Sequence, residues 1–390
     1  MDLIDVTQNP FADAGKVNSN FAAVAAAISA LPTPSGSSVP GFLNVKDYGA
    51  VGDGTADDTT AILAGYEAAC AIKGTLLFPS GTYVCSGIDL GGSPHRGCTL
   101  QGAAYDGRGN GYLSSRILLK AASNRPLFKL LSGDAPHAIF KNLLLDGNDT
   151  QQTANEYIVK AEDDLTTTYP YGFVMDSMQF VNGRGGGLYI GKRRGNNSLS
   201  NLLFYNNGSG NSGHGMYIDT YDVTMYSVNI GASFGYGIYV ASTSQLQCTA
   251  VNSYVNQSGG LFIGAGVNDM VFMNGSIDHN VRFGIESAKR TATAYPGRRV
   301  FIGTRFLGNS SSGNGWFPDV KIHSGDTDFC FLGCEFMGFD GANKPAYAIQ
   351  FEDATATAKV AACGFDTLRP GWSQAVTNYT ANLILDNRIS

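Results

Sequence analysis

The sequence lacks several features that would assign it to a large class of protein. Its first residues, MDLIDVTQNPFADAG, contain neither the basic stretch nor the apolar run of a secretory signal. No apolar run approaches the ~18 residues that a membrane-spanning helix needs. We therefore expect a protein that is synthesised in a cytoplasm and has no membrane span.

Charge and cysteine patterns exclude further classes. Charged side chains make up 15% of the 390 residues and the net charge is −6, which argues against a nucleic-acid-binding surface. The seven cysteines are scattered and show no CxxC pair or zinc-ligand spacing. We expect most of them to be small buried residues of a reduced protein without disulfides. We also expect no metal site and no cofactor.

What the sequence does contain is glycine and aromatic residues. The 50 glycines, 22 phenylalanines and 19 tyrosines indicate many short strands separated by tight turns. Residues 1–40 differ, because they form an alanine-rich stretch followed by a linker. Its apolar positions follow a heptad spacing: Ala14, Val17, Phe21, Val24, Ile28 and Leu31. We expect either an oligomerisation helix or a single helix lying on another protein, preceding one large domain at 41–390.

The stretch DYGAVGDGTADD, at 47–58, is rich in aspartate and glycine. Asp53-Gly54 suits a tight turn, and Asp57 or Asp58 can cap the helix expected over 58–72. Two strand-like runs then flank the turn residues Pro79-Ser80-Gly81. We interpret the acidic stretch as structural rather than catalytic.

From about residue 170 the chain repeats. A glycine followed by an apolar–aromatic–apolar run recurs as GLYI (187), GMYI (215), GIYV (237) and GLFI (260), and then as GIES (284). A second strand-like run, ending at Phe180, Phe204, Val228 or Ile277, accompanies these repeats. Irregular periods of 20 to 35 residues without helical periodicity indicate a stacked β solenoid. The helix at 58–72 is placed to cap its N-terminal end.

The segment NVKDYGAVGDGTADDTTAI…GTLLFPSGTYV resembles the N-terminal signature of pectate-lyase-like, single-stranded right-handed parallel β-helices. That family includes bacteriophage tailspikes and polysaccharide depolymerases. Residues 1–40 resemble the virion-anchoring segments of phage tail proteins. The resemblance implies a trimeric phage tail appendage that assembles in the host cytoplasm and attaches to a tail or baseplate protein through residues 1–40. Fold alone does not establish its chemistry.

Alignment of the repeats on their glycines predicts which side chains face outward. The first and third positions after each glycine are apolar and should point inward, so the second position points outward. That outward column reads Tyr189, Tyr217, Tyr239, Phe262 and Glu286, and Lys321 and Gln350 continue it. Aromatic rings suit the apolar faces of sugars, which favours a saccharide groove. A contact between subunits of an oligomer is the alternative.

Glycoside hydrolysis needs two carboxyl groups, ~5 Å apart for retention and ~6.5–9.5 Å apart for inversion. Asp219 and Asp222, in YIDTYD, are the first choice for this pair, and an Asp-stabilised turn is the alternative. Glu286 is too many coils away to join Asp219. It would need Asp319 or a carboxylate of another subunit, unless it forms an exposed ion pair with Lys321.

Other side chains extend the candidate groove. Arg193, in GKRRGNN, lies one coil before Asp219, and Trp316 lies in a glycine-rich insertion. His214, in GHG, resembles part of a polygalacturonase-like site whose other elements are absent. We expect a protein that binds and hydrolyses a bacterial surface polysaccharide, either capsule or lipopolysaccharide O-chain. The alternatives are a non-catalytic receptor-binding tail protein and a polysaccharide lyase, which would need a base and a neutralising cation.

Overall fold

A computed structural model describes residues 41–91, 97–103, 114–130, 138–162, 172–191, 195–209, 213–290, 297–312, 316–338, 345–365 and 383–385. The helix and linker expected within residues 1–40 lie outside these ranges, and so does Arg193. No helix in the described ranges is long and apolar enough to cross a membrane.

The chain winds into a right-handed parallel β-helix, as predicted, in which three strands make one coil. Every strand pairs in parallel with the equivalent strand of the next coil, so three sheets run along the molecule. Sheet A contains β1 (Phe42–Asn44), β3 (Thr75–Phe78), β6 (Thr99–Gly102), β9 (Ile139–Lys141), β12 (Val174–Asp176), β23 (Arg299–Ile302), β26 (Phe329–Leu332), β29 (Ala358–Ala361) and β31 (Leu383–Leu385).

The two other sheets have the same parallel register. Sheet B contains β2 (Asp53–Asp57), β4 (Gly81–Cys85), β7 (Ser115–Leu119), β10 (Leu144–Asp146), β13 (Gln179–Val181), β19 (Asn252–Tyr254), β21 (Ser276–Asp278), β24 (Arg305–Leu307), β27 (Glu335–Met337) and β30 (Gly364–Phe365). Sheet C contains β5 (Ile88–Leu90), β8 (Phe128–Leu130), β11 (Tyr157–Ala161), β14 (Gly186–Ile190), β16 (His214–Asp219), β22 (Phe283–Ser287), β25 (Val320–Ile322) and β28 (Ile349–Phe351).

Four long strands bend from one sheet into the next. β15 (Asn197–Tyr205) and β17 (Val223–Gly231) run from sheet A into sheet B, and β18 (Tyr236–Thr249) and β20 (Gly259–Met273) run from sheet C into sheet A. These strands join neighbouring sheets without an intervening loop, and the pairing register shifts after Ile218 and again between Val240 and Ser242.

The inward columns of sheet C are fully buried, as the glycine alignment predicts. They consist of Leu188, Met216, Ile238, Leu261 and Ile285, and of Ile190, Ile218, Val240, Ile263 and Ser287. In sheet B, Phe180 stacks on Phe204 with ring centroids 4.5 Å apart. The prediction is wrong at Val228, because Phe204 pairs with Ile230 and that residue continues the column.

The helix α1 (Thr59–Ala71) covers the N-terminal end of the core with Ile62, Tyr66 and Ala69. A 3-10 helix, Val45–Tyr48, precedes it, and a second one, Asp149–Gln151, follows β10. The Asp58 carboxylate makes no capping bond to α1. It accepts hydrogen bonds from the backbone N–H groups of Val51 (2.6 Å) and Gly52 (3.1 Å) instead. The acidic stretch is therefore structural, although Asp58 secures the preceding loop rather than the helix.

One expectation about the cysteines is wrong. Cys70, at the end of α1, forms a disulfide with Cys98, whose Cα lies 4.7 Å away although 28 positions separate them in the sequence. Packing of α1 against the start of β6 brings the two sulfurs together, which the linear spacing does not reveal. Cys85, Cys248 and Cys334 are buried and free, as expected.

Candidate functional site

One outward row of sheet C carries the predicted aromatic side chains. Tyr189 pairs with Tyr217, Tyr217 with Tyr239, and Tyr239 with Phe262, so the four residues share one line. We call these four residues the aromatic ladder. The row continues in register through Glu286, Lys321 and Gln350, and Lys160 precedes it. The placement derived from the glycine alignment is therefore correct.

The rings of the aromatic ladder stack on one another. The centroid distances are 4.9 Å for Tyr189–Tyr217, 5.2 Å for Tyr217–Tyr239 and 4.4 Å for Tyr239–Phe262, with interplanar angles of 7°, 7° and 14°. Each ring thus covers the face of its neighbour. The ladder offers ring edges and phenol oxygens to a ligand, and the predicted stacking of sugars on open ring faces is not available within it.

Three further side chains flank the ladder on sheet C. His214 stacks on Tyr239 at 4.6 Å, and Tyr157 lies 5.5 Å from Tyr189. Tyr236 packs against Phe262, and its ring occupies the space above Gly259, where an added Cβ would lie 2.8 Å from the ring. Only glycine fits at that position, so the second tier of rings depends on it.

His214 is held as a neutral side chain. Its Nδ1 accepts a hydrogen bond from the backbone N–H of Tyr236 at 3.1 Å, and burial lowers the pKa of the imidazole to about 4. Burial also raises the pKa of Tyr217 to about 12, and the nearby Asp219 carboxylate adds to this shift. At neutral pH the centre of the site therefore presents uncharged imidazole and phenol groups.

A charged cluster lies at the C-terminal end of the ladder. Glu286 accepts a hydrogen bond from the Tyr236 hydroxyl and contacts His323 Nε2 at 3.0 Å. His323 Nδ1 lies 3.1 Å from Glu352, whose other oxygen lies 2.9 Å from Lys289 Nζ. We call Glu286, His323 and Glu352 the Glu-His-Glu cluster. Both ring nitrogens of His323 are thereby engaged by carboxylates.

The protonation of this cluster follows from these contacts. The hydrogen bond to Glu286 raises the pKa of His323 against the opposing effect of burial, and the bond to Glu352 adds to it. Burial opposes ionisation of Glu286, but hydrogen bonds from His323 and Tyr236 outweigh it and lower the pKa of that carboxyl. The cluster thus favours a cationic imidazole between two carboxylates.

Of the two first-choice carboxylates, Asp219 lies near the ladder residue Tyr217. Asp219 ends β16, is only 9% exposed and accepts a hydrogen bond from the Ser242 hydroxyl. Asp222 is exposed and has a φ of 25°, in the turn that joins β16 to β17. The turn explains this placement, because one carboxyl stays against sheet C while the other projects into solvent.

The proposed partnership of Glu286 with Asp319 is wrong. Asp319 is fully buried inside the β-helix, where its Oδ1 accepts a hydrogen bond from Asn309 Nδ2 at 2.7 Å. It belongs to an internal column of hydrogen-bonded amides formed by Asn256, Asn280 and Asn309. An inward-facing carboxyl cannot join the outward-facing Glu286 in binding a polymer.

The remaining candidates lie at the same end of sheet C. Lys321 lies next to Glu286 in the strand register, and its Nζ is 5.5 Å from the centroid of the Phe283 ring. Phe317 packs edge-on against Phe283, and the adjacent Trp316 is 71% exposed. Trp316 therefore offers an open aromatic surface that the stacked ladder does not. Within the described ranges, no three His, Cys, Asp or Glu side chains converge as metal ligands.

The sequence interpretation missed His323 and Glu352. A signal for both exists, because each lies two residues after a member of the outward row, Lys321 and Gln350, and so faces the same side. Asp219 follows Tyr217 by the same interval. If the residues two positions after the outward row are taken as a second outward row, the sequence predicts that Asp219, His323 and Glu352 lie on the same surface.

Comparison with known proteins places this geometry in context. The family described as "Rhamnogalacturonase A/epimerase, pectate lyase-like" matches residues 42–264, more than half of the chain. Mannuronan C5-epimerase AlgE5 of Azotobacter vinelandii is 48% identical over 64 residues, which cover 16% of this chain and 6% of that enzyme. AlgE6 of the same organism is 38% identical over 93 residues, 24% of this chain and 9% of that enzyme. The chain thus matches less than a tenth of the length of these curated relatives.

Solved structures share the fold at low identity. The A-module of mannuronan C-5 epimerase AlgE4 of Azotobacter vinelandii has a TM-score of 0.64 at 17% identity, covering 88% of this chain and 99% of the module. Tailspike protein 2 of an Escherichia coli O157:H7 bacteriophage has a TM-score of 0.62 at 13% identity, covering 88% of this chain and 47% of the tailspike. A Geobacillus virus E2 protein has a TM-score of 0.63 at 17% identity, covering 89% and 64% of the two chains.

Proposed function

Because this chain belongs to the rhamnogalacturonase A/epimerase, pectate lyase-like family, we propose that it is a phage tailspike-type protein that binds a bacterial surface polysaccharide across sheet C and hydrolyses it there. The observation that carries the proposal is the straight row of phenol groups, which ends at the Glu-His-Glu cluster and has Asp219 beside it. Similarity in fold to a phage tailspike and to a viral protein supports the virion location.

Binding along this row uses hydrogen bonds more than stacking. Tyr189, Tyr217 and Tyr239 are spaced by one coil each, and burial raises the pKa of every one, so all three hydroxyls stay protonated at neutral pH. A protonated phenol both donates and accepts a hydrogen bond, as a sugar hydroxyl does. An extended glycan lying along the axis of the β-helix would meet one phenol per coil, and Trp316 supplies a stacking surface at one end.

Hydrolysis is proposed to use Asp219 and Asp222. Glycoside hydrolysis uses two carboxyl groups, and these two are three positions apart at the end of β16 and in the turn after it. Glu286 is three coils from Asp219 in the paired register, roughly 14 Å at ~4.8 Å per coil, which is too far for a catalytic pair. We assign Glu286 to substrate binding and to orientation of His323.

A lyase or C5-epimerase is the second candidate. The identity of a short segment to mannuronan C5-epimerases favours it, since both reactions begin with removal of a proton beside a uronic carboxylate. Sheet C also places the Lys160 ammonium over Tyr189, 5.7 Å from the ring centroid, and an uncharged His214 one coil further. Lys160 is a cation, with Glu162 3.2 Å from its Nζ, whereas His214 offers a donor rather than a base because its Nδ1 already accepts the Tyr236 N–H. The segment identity therefore carries this candidate.

One set of measurements separates these activities. The protein is incubated with host capsule, lipopolysaccharide and mannuronan in deuterated buffer. Reducing ends alone indicate a hydrolase, reducing ends with ultraviolet absorbance of unsaturated uronates indicate a lyase, and deuterium at C5 without cleavage indicates an epimerase. Asp219→Asn should abolish hydrolysis, and Asp278→Asn on sheet B should leave it intact. Full activity of Asp219→Asn contradicts the assignment, and binding without any product would reduce the function to adsorption.

We also propose that the protein is a homotrimer and that residues 1–40 attach it to a phage tail or baseplate protein. In such a trimer the ladder would be either an open groove or a contact between subunits. Light scattering of the full chain and of residues 41–390 tests the trimer, because a monomer in both cases contradicts it.

A further inference from the structure

A cleft on sheet B lies apart from the ladder and its function is unassigned. Its volume is about 410 Å³, within the ~300–1,000 Å³ usual for small-molecule sites. Strands β4, β7, β10 and β13 form its floor, and the corner that follows sheet B forms its rim. The lining includes Arg116, Leu144, Asp146, Asn182 and Tyr205.

The polar side of the cleft is a pre-arranged hydrogen-bond network. Asp146, whose side chain is 4% exposed, accepts from Arg116 at 2.6 Å and from Asn182 at 3.2 Å. The Asn206 side-chain Nδ2 donates to the side-chain Oδ1 of Asn182 at 2.8 Å. Asn182 and Asn206 both have φ of 56°, a left-handed conformation that asparagine tolerates and that turns their side chains back along sheet B.

This network disfavours metal ions and anions as ligands of the cleft. Both oxygens of Asp146 are occupied, because Oδ1 also accepts the backbone N–H of Asn148 at 2.9 Å, and a metal ion would find no free carboxylate. The Arg116 charge is neutralised by Asp146, which disfavours a phosphate, sulfate or uronate. Arg116 is nevertheless 39% exposed and contacts Asp146 through Nη2, so other N–H groups of its guanidinium remain for an uncharged acceptor.

The apolar side of the cleft completes the pattern. Leu144 and Val181 line the floor, and Tyr205 stands at the rim with 44% of its surface exposed. The cleft thus combines fixed planar polar groups with an apolar floor and an open aromatic ring. This combination suits a ligand whose ring has hydroxyls on its edge and C–H bonds on its face.

We propose that this cleft binds a neutral sugar residue, independently of any activity on sheet C. Arg116 and the Asn206 amide face the sugar hydroxyls, and Tyr205 covers a ring face. In a protein that acts on a polymer, such a site would hold a second stretch of chain while sheet C engages the first.

The test uses saturation-transfer NMR on the full chain with methyl glycosides of glucose, galactose and mannose, and with the methyl glycoside of galacturonic acid, whose carboxylate is free, as the charged probe. We expect transfer to at least one neutral glycoside and none to the uronate. Tyr205→Ala should weaken that binding roughly tenfold, the equivalent of one lost ring contact. Tyr226→Ala, which removes an exposed tyrosine of sheet A, should leave it unchanged.

Three outcomes would overturn the proposal. The first is no transfer to any neutral glycoside, and the second is transfer that survives both Tyr205→Ala and Asn206→Ala. The third is transfer that disappears in Tyr217→Phe and not in Tyr205→Ala, since that result would place the sugar on the aromatic ladder. Retention of the thermal midpoint in each variant excludes unfolding as the cause.

Discussion

Replacement of Asp319 by asparagine tests whether a buried carboxyl makes the β-helix less stable at neutral pH. Asp319 is fully buried, and burial raises its pKa to about 7. Its Oδ1 accepts from Asn309, while Oδ2 has no hydrogen-bond partner among the described residues. Asparagine keeps the shape and the acceptor but cannot ionise, so the variant should remove the cost of the charge and retain the packing.

The expected magnitude follows from proton linkage. Because the pKa is raised on folding, the folded protein binds more protons than the unfolded chain between about pH 4 and pH 7, and stability falls as pH rises through that window. A shift of about 3 units corresponds to roughly 4 kcal/mol, of which roughly 2 kcal/mol is lost between pH 5 and pH 7. Asp319→Asn should not show that loss.

The assay is chemical denaturation at pH 5 and at pH 7. From pH 5 to pH 7, the unfolding free energy of the native sequence should fall by about 2 kcal/mol more than that of Asp319→Asn. Asp269→Asn, a half-exposed carboxylate on β20, serves as the control and should follow the native profile. Parallel pH profiles for the native protein and Asp319→Asn would refute the reasoning, because the carboxyl would then ionise in the folded state at its ordinary pKa.

Three further predictions follow from the site and the core. His323→Gln should lower stability at pH 6 and have less effect at pH 9, which thermal melts at the two pH values check. Because folding raises the pKa of His323, its stabilising effect is complete below the pKa of the unfolded chain and disappears as pH rises through the pKa of the folded protein. Tyr217→Phe should keep the stack but weaken polysaccharide binding up to about tenfold, measured by calorimetry, and unchanged affinity would exclude the hydroxyl as a contact. Reduction of Cys70–Cys98, which closes a loop of 28 residues, should lower stability by roughly 2–4 kcal/mol, and equal melts with and without dithiothreitol would contradict it.

Much of the fold was predictable because a solenoid repeats one simple constraint. Each coil must bury an apolar side chain against its neighbours, so glycine followed by alternating residues fixes both the register and the outward row. Tyr217 and Phe262 could therefore be placed two coils apart on one line from the sequence alone. Val228 was misplaced because β17 runs through a corner, where Ser227 has a φ of 54° and the alternation shifts.

The candidate site was harder to predict, because its chemistry depends on distances across coils. Nothing in the linear order shows that Tyr189 and Tyr217 stack face to face, and that arrangement changes the expected mode of sugar contact from stacking to hydrogen bonding. Likewise, Glu286 and Glu352 are 66 positions apart, and only the coil geometry places His323 between them. Asp319 shows the opposite error, since a carboxylate near an outward row turned out to face the core.

The inside and the outside of the β-helix carry different polar side chains, and this separates the residues that determine stability from those available for function. Inside, Asp319 and the asparagine column exchange hydrogen bonds with one another, so a substitution there acts on stability. Outside, a row on sheet C can exchange an aromatic residue for glutamate from one coil to the next while the inward residue beside it stays buried, as Phe262 and Glu286 do. Function in this chain is therefore expected to follow outward rows, and a substitution that changes activity while preserving the melting temperature should map to one of them.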